Sequence, residues 1–222
     1  MSEKIMIFID GANVFGAIKT INEEIERKNV DLPPEQKINK IKIDYVKLVE
    51  LLSDSRDKRR TYFFDGKPER SPNNKEYFFN ALRKQGITVI TRPVRYKTLD
   101  CERCKLWKNI HEEAVKKGNA GIKPFNIENG EPIGYPTKFN QEFQKGIDVA
   151  LVTELLRMAR EDVYDTALVV SGDNDYKNAI ECVKSMGKRV EVASFRSALG
   201  DDLKEVADKL IFLDDYITSI RQ

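Results

Sequence analysis

Cysteine is scarce, with three in 222 residues. An odd number gives no disulfide framework, so the expected setting is reduced, intracellular and cytoplasmic. No apolar run approaches the roughly 20 residues of a membrane-spanning helix. The apolar stretch after Lys4 is too short for a signal-peptide core, so no membrane partner is expected. The first strand-to-helix turn lacks Gly-x-Gly-x-x-Gly, which disfavours a dinucleotide-binding enzyme. It also lacks the Asp-x-Asp of haloacid-dehalogenase phosphatases, because Ala12 stands two places after Asp10. The paired acids after strand one and the lysine after strand five of a receiver domain are missing too. Histidine and tryptophan occur once each.

What is present is a globular profile, 41% hydrophobic and 33% charged. The chain is long enough for one domain with an insertion. The net charge of +2 averages an uneven distribution: between Arg92 and Lys123, nine Lys/Arg face four Asp/Glu, so that stretch is +5 and the remainder about −3. A basic insert beside an acidic remainder suits an anionic polymer, although a solvated helix face has the same composition.

Ile5-Met6-Ile7-Phe8-Ile9 reads as a strand covered on both faces, ending in Asp10-Gly11-Ala12-Asn13-Val14. A helix from about Val14 to Lys28 follows, then an exposed excursion around Pro33-Pro34 and a helix capped by Asp44. Thr61-Tyr62-Phe63-Phe64 is a second strand ending in Asp65-Gly66. The helix Asn74–Gln85 is expected to turn Tyr77, Phe78, Ala81 and Leu82 inward, and Ile87–Ile90 is the third strand. Residues 95–140 break the rhythm as an irregular insertion with a helix near Lys105–Lys117. Order resumes with a helix over Asp148–Arg160, the strand Thr166–Val170, and Ser171-Gly172-Asp173-Asn174-Asp175-Tyr176 opening the next helix. That helix holds Cys182, read as a buried thiol, and a fifth strand spans Arg189–Ala193. Strands alternating with helices call for a parallel sheet with right-handed crossovers.

Asp10, Asp148, Asp173 and Asp175 thus come to the C-terminal edge of one sheet, where ligands bind in open α/β folds. Carboxylates so placed repel, and either a proton or a cation must hold them. Mg²⁺ is held by a few carboxylates, water and substrate phosphate oxygens, and such ions support in-line attack at phosphorus. Hydrolysis of a phosphodiester is the chemistry expected. Singly, Asp148 and Asp175 could be helix caps and Asp10 a turn residue; convergence on one edge is what caps leave unexplained. Asp65 is expected to point away from the centre.

Phe8-Ile9-Asp10-Gly11-Ala12-Asn13-Val14, Lys145-Gly146-Ile147-Asp148 and Ser171-Gly172-Asp173-Asn174-Asp175-Tyr176 resemble the three motifs of NYN domains, the LabA-like branch of the PIN-like nuclease superfamily. The resemblance covers residues 4–94 and 143–213. It implies an α/β, PIN-like Rossmannoid three-layer sandwich, with a mostly parallel sheet of about five strands plus the basic insertion. It also implies Mg²⁺- or Mn²⁺-dependent ribonuclease activity of endonucleolytic type. Asp10, Asp148 and Asp173 would be the metal-binding acids, Asp175 a further ligand or supporting group, Asn13 an orienting group, and Lys145 a neutraliser of substrate charge. The reading is one NYN/PIN-like domain over 1–222 with the insertion at 95–140. A non-catalytic RNA-binding or regulatory module on the same fold is the alternative.

Within the insertion, Cys101, Cys104 and His111 offer three zinc-type ligands where a structural zinc wants four. Asp100, Glu112 or a second subunit could supply the fourth, which makes a homodimer a candidate; two unlinked thiols are the alternative. Arg92, Arg95, Lys97, Arg103, Lys105 and Lys108 interleave with Tyr96 and Trp107, the pattern of phosphate-tracking cations and base-stacking aromatics on single-stranded RNA. Trp107 could equally be the insertion's own small core.

Overall fold

In a computed structural model, residues 2–68, 73–100, 127–128, 131–132, 138–144 and 146–222 are described. The chain divides into two compact units, Met1–Pro93 with Lys145–Gln222, and Val94–Gln144.

The first unit is an α/β sandwich. Its strands are β1 (Lys4–Asp10), β2 (Asp57–Pro68), the first half of β3 (Ile87–Asp100), β7 (Thr166–Val170), β8 (Arg189–Ser194) and β9 (Lys209–Phe212). They form a parallel sheet in the order β3-β2-β1-β7-β8-β9. β9 brings the expected five strands to six. The helices are α1 (Gly11–Asn29), α2 (Tyr45–Ser53), α3 (Asn73–Lys84), α4 (Ile147–Arg160), α5 (Lys177–Ser185), α6 (Asp201–Val206) and α7 (Ile217–Ile220).

Alternation along β1 assigns the two faces. Ile5, Ile7 and Ile9 pack with α1, α2, α3 and α7, through residues such as Ile18, Leu48, Phe79 and Ile220. Met6 and Phe8 pack with α4, α5 and α6, through Leu151, Leu155, Ile180 and Leu203. Both faces of the sheet are covered, so β1 and β7 carry apolar residues at nearly every position. Asp44 caps α2 by accepting from the Val46 and Lys47 N–H groups, as expected.

The strand order places the site. From β1 the chain builds outward through β2 and β3, then restarts with β7 on β1's other side. The sheet's topological switch therefore lies between the C-terminal ends of β1 and β7, where ligands enter open α/β sheets. Asp10 ends β1, and Ser171-Gly172-Asp173 follows β7.

In the second unit, β3 continues past Pro93 to Asp100 and pairs antiparallel with β6 (Lys138–Gln144), from Val94↔Gln144 to Asp100↔Lys138. β4 (Ile127–Glu128) and β5 (Glu131–Pro132) form a two-residue pair. The third strand is thus longer than the sequence reading of Ile87–Ile90. Pro93, which has no N–H to give a ladder, ends the apparent strand in the sequence but not in the fold.

Candidate active site

Asp10 shares the parity of Met6 and Phe8, so it belongs to the face covered by α4 and α5. It is 3% exposed. Its Oδ1 accepts the Asn13 N–H at 3.1 Å, and its Oδ2 accepts the Ser171 hydroxyl at 3.0 Å and the Tyr176 hydroxyl at 3.1 Å. The Tyr176 hydroxyl also lies 3.3 Å from Asp148 Oδ1. Ser171 Oγ accepts the Asp173 N–H at 3.2 Å, which leaves its own proton for Asp10. Asp173 Oδ1 accepts the Asp175 N–H at 3.0 Å, a local turn that fixes the acidic loop. Asn13 Oδ1 accepts the Gly172 N–H at 3.0 Å, tying the end of β1 to the end of β7. Because a backbone N–H demands an acceptor, this bond sets the amide's orientation and turns Asn13 Nδ2 the other way.

Electrostatics follow from this crowding. Burial pushes the Asp10 carboxyl above its ordinary value; its three hydrogen bonds oppose the rise and the Asp148 charge adds to it. Asp148 keeps contact with solvent, yet desolvation is still the main cause of its raised pKa. The Tyr176 bond opposes that rise, and Asp173 and Asp175 reinforce it. Tyr176, fully buried, is raised by desolvation first and then by Asp10 and Asp148. Among the described residues no ion pair reaches Asp10, Asp148, Asp173 or Asp175.

The capping alternatives divide unexpectedly. Asp148 is not a cap: Gly146, at φ 85°, holds that position and Asp148 sits in the first turn of α4. Asp175 is not one either, since Asp173 caps the short turn that precedes α5. Asp10 does cap α1 while also meeting Ser171 and Tyr176. Asp65 is buried within β2 rather than in a loop, and β2 is an interior strand. Its side chain shares the parity of Phe63, on the face opposite Asp10, and lies 3.0 Å from Lys75 Nζ. Ser171 and Tyr176 were given no role in the sequence reading, although both stand inside the quoted motif.

Two glycines let the loops close over this edge. A Cβ on Gly172 would fall 2.0 Å from the Ala198 carbonyl oxygen, and one on Gly200 would fall 1.9 Å from Asn174 Oδ1. The Gly200 N–H donates to the Gly172 carbonyl at 2.8 Å. Gly172→Ala must therefore separate the two loops and stretch the Asn13 bond. The expected cost is about 1–3 kcal/mol of stability, typical of overpacking, measured by denaturant unfolding. A change below about 0.5 kcal/mol would contradict the packing described.

The donor chemistry of this cluster fits a hard divalent cation: all carboxylate oxygen, partly desolvated, with no described cation compensating it. Among the described residues, however, no three His, Cys, Asp or Glu side chains stand together in a metal-holding group. Asp10 and Asp148 meet at one hydroxyl, and Asp173 and Asp175 act on Asp148 through charge alone.

Of the expected RNA-contacting residues, Arg92 is exposed on β3. Arg95 and Lys97 lie on β3 opposite Phe143 and Gln141. Lys145, Arg103, Lys105, Trp107 and Lys108 lie outside the described residues, as do Cys101, Cys104, His111 and the helix expected near 105–117. Cys182 is exposed, not buried. No described helix is long and apolar enough to cross a membrane.

A parallel sheet sandwiched by helices, with acids at its switch point, defines a Rossmannoid α/β protein of PIN-like type. A model of the NYN domain family matches residues 4–214, and the chain belongs to that family, a branch of the PIN-like nuclease superfamily. It is similar to the Low amplitude and bright protein LabA of Synechococcus elongatus, 24% identical over 162 residues, or 72% of this chain and 66% of that protein. It is also similar to the uncharacterized protein y4oD of Sinorhizobium fredii, 31% identical over 68 residues, or 29% of this chain and 32% of that one. The alignments thus span less than two thirds of these relatives' lengths. A crystal structure of a Vibrio parahaemolyticus protein of unknown function shares the fold, with a TM-score of 0.60 and 16% identity, covering 100% of this chain and 97% of that one.

Proposed function

We propose that this protein is a metal-dependent ribonuclease that hydrolyses phosphodiester bonds of single-stranded RNA at the β1/β7 edge. The observation that carries this reading is the meeting of Asp10 and Asp148 at one buried hydroxyl, with Asp173 and Asp175 beside them and no described cation in compensation. Asp10, Asp148 and Asp173 would hold Mg²⁺ or Mn²⁺, which in such a site lowers the pKa of a water and stabilises charge at phosphorus. Asp10 is held in one orientation by three donors. Asn13 Nδ2, free of the Gly172 bond, would donate to water or phosphate. Lys145 would neutralise substrate charge, and the basic residues from Arg92 to Lys108 would contact RNA phosphates.

A second reading, a regulatory RNA-binding module without turnover, is favoured by one observation: three carboxylates do not yet form a metal-holding group among the described residues. Cleavage of a labelled single-stranded RNA with Mg²⁺ or Mn²⁺ separates the two. Wild type should cut, and Asp148→Asn and Asp173→Asn should each lose at least about tenfold, as when a metal site is disturbed. Equal cutting by all three proteins would refute the site; tight RNA binding with no cutting by wild type would favour the module.

A further inference from the structure

The proposed metal reading uses the acids but leaves unexplained what holds them. Asp10 comes from the end of β1 and Asp148 from the first turn of α4, 138 residues later in the chain. Left alone, two carboxylates on separate elements turn apart, because their charges repel in a partly desolvated site. Among the described residues one side chain hydrogen-bonds both: Tyr176, at 3.1 Å from Asp10 Oδ2 and 3.3 Å from Asp148 Oδ1. Its ring is fully buried in the core formed with α4 and α5. Ser171 backs it by donating to the same Asp10 oxygen at 3.0 Å.

We infer that Tyr176, backed by Ser171, is a positioning residue that holds Asp10 and Asp148 at a fixed separation for a divalent cation. The inference rests on the metal-dependent reading above. A ring alone would fill the core equally well as phenylalanine; a desolvated hydroxyl aimed at two acids serves the acids. Its one proton can be given to only one carboxylate at a time, so the hydroxyl spans the pair without neutralising it. Asp10 Oδ2 is thereby occupied by Ser171 and Tyr176, while Oδ1 carries only the Asn13 N–H and keeps lone-pair capacity. The hydrogen bonds set which oxygen is left to face a cation, the role of outer-shell partners in metal sites.

The test uses the full chain as wild type, Tyr176→Phe and Ser171→Ala. Mn²⁺ binding is measured by isothermal titration calorimetry, and RNA cleavage is measured against Mn²⁺ concentration. Tyr176→Phe should weaken the Mn²⁺ dissociation constant by about 10- to 100-fold, the usual cost of losing an outer-shell partner, at unchanged stoichiometry. The Mn²⁺ concentration for half-maximal cleavage should move by the same factor, with kcat recovered at saturating Mn²⁺. Ser171→Ala, which touches Asp10 alone, should shift both in the same direction by less. A Tyr176→Phe protein with the wild-type dissociation constant overturns the role. So does reduced stoichiometry at an unchanged constant, the mark of partial unfolding. If Tyr176→Phe does not fold, a Ser171→Ala protein that binds Mn²⁺ as wild type does overturns it. Wild type that takes up no Mn²⁺ removes the metal reading itself; wild type that binds while both variants match it removes only the positioning role.

Discussion

Asp10→Asn is expected to lower Mn²⁺-dependent RNA cleavage by about a thousandfold while making the metal-free protein more stable at neutral pH. The first half follows from the worth of a divalent ion at phosphorus. Several kcal/mol of transition-state stabilisation, at about 1.36 kcal/mol per decade of rate, gives roughly that factor. The second half follows from the raised pKa of Asp10, caused mainly by burial. A carboxyl whose folded pKa lies above its unfolded value binds its proton more tightly in the folded state. Its favourable contribution is complete below the ordinary value of 3.8 and is lost as pH rises through the folded pKa. As pH rises through the folded pKa the wild type takes on a desolvated charge that asparagine does not carry. The Ser171 and Tyr176 hydroxyls can rotate to accept from the new amide, so the network survives the change. Asp215 and Asp162, held low by hydrogen bonds from Arg196 and Lys188, shift stability the opposite way with pH. They cancel in the difference between variant and wild type. Denaturant unfolding without divalent ions, from pH 4 to 8, should show that difference growing as pH rises. Adding Mn²⁺ should stabilise wild type by mass action and the variant much less. A variant that cuts RNA normally, or is less stable at every pH, would refute the assignment.

The placement of two of the acids was legible before the fold was known. Asp10 and Asp173 end apolar runs that can only be buried strands, so their placement follows from chain order and the edge rule. What decides the rest is non-local. Tyr176 stands in plain view within the motif, but the partners of its hydroxyl depend on how α4 docks beside α5. Helical phase is similarly undetermined in apolar-rich helices. In α3, Tyr77 and Ala81 make as good a stripe as Phe79 and Leu82. Phe79 and Leu82 are the ones buried and Tyr77 is 70% exposed, because Phe78 and Phe79 meet Phe63 on β2. Cys182 falls off the Tyr176, Ala179, Ile180, Val183 stripe that α5 turns inward. Pro93 hid the continuation of β3, since the partner strand β6 lies more than forty residues further on and leaves no local trace.

Arg56→Met should cost about 3–5 kcal/mol of stability and should leave the proposed cleavage per folded molecule intact. Glu191, on β8, has a side chain only 3% exposed, and Arg56 Nη1 lies 3.1 Å from its Oε2. That contact is a close ion pair rather than an aligned hydrogen bond. The guanidinium also donates to the Leu52 and Ser53 carbonyls at the end of α2, at 2.9 and 3.2 Å. It stands just before β2 begins, at the edge of the sheet opposite Asp10. Removing it strands a buried carboxylate, and Arg189, 3.9 Å away and half exposed, is a poor substitute. For a domain of this size the melting temperature should fall by roughly 2–4 °C per kcal/mol. The double change Arg56→Met with Glu191→Leu removes the buried charge as well. It should recover most of the loss, because apolar replacement of a buried pair is about neutral. What remains missing is the two helix-end hydrogen bonds, about 1 kcal/mol each. Thermal unfolding of the two single variants and the double variant measures the coupling. A single change costing less than about 1 kcal/mol, or a double variant no better than Arg56→Met, would mean that the pair does not hold α2 to β8. Cleavage per folded molecule in Arg56→Met should match wild type, whereas Asp10→Asn should lose cleavage in a stable fold. The two edges of one sheet then separate by experiment into one that holds the protein together and one that carries the proposed cleavage.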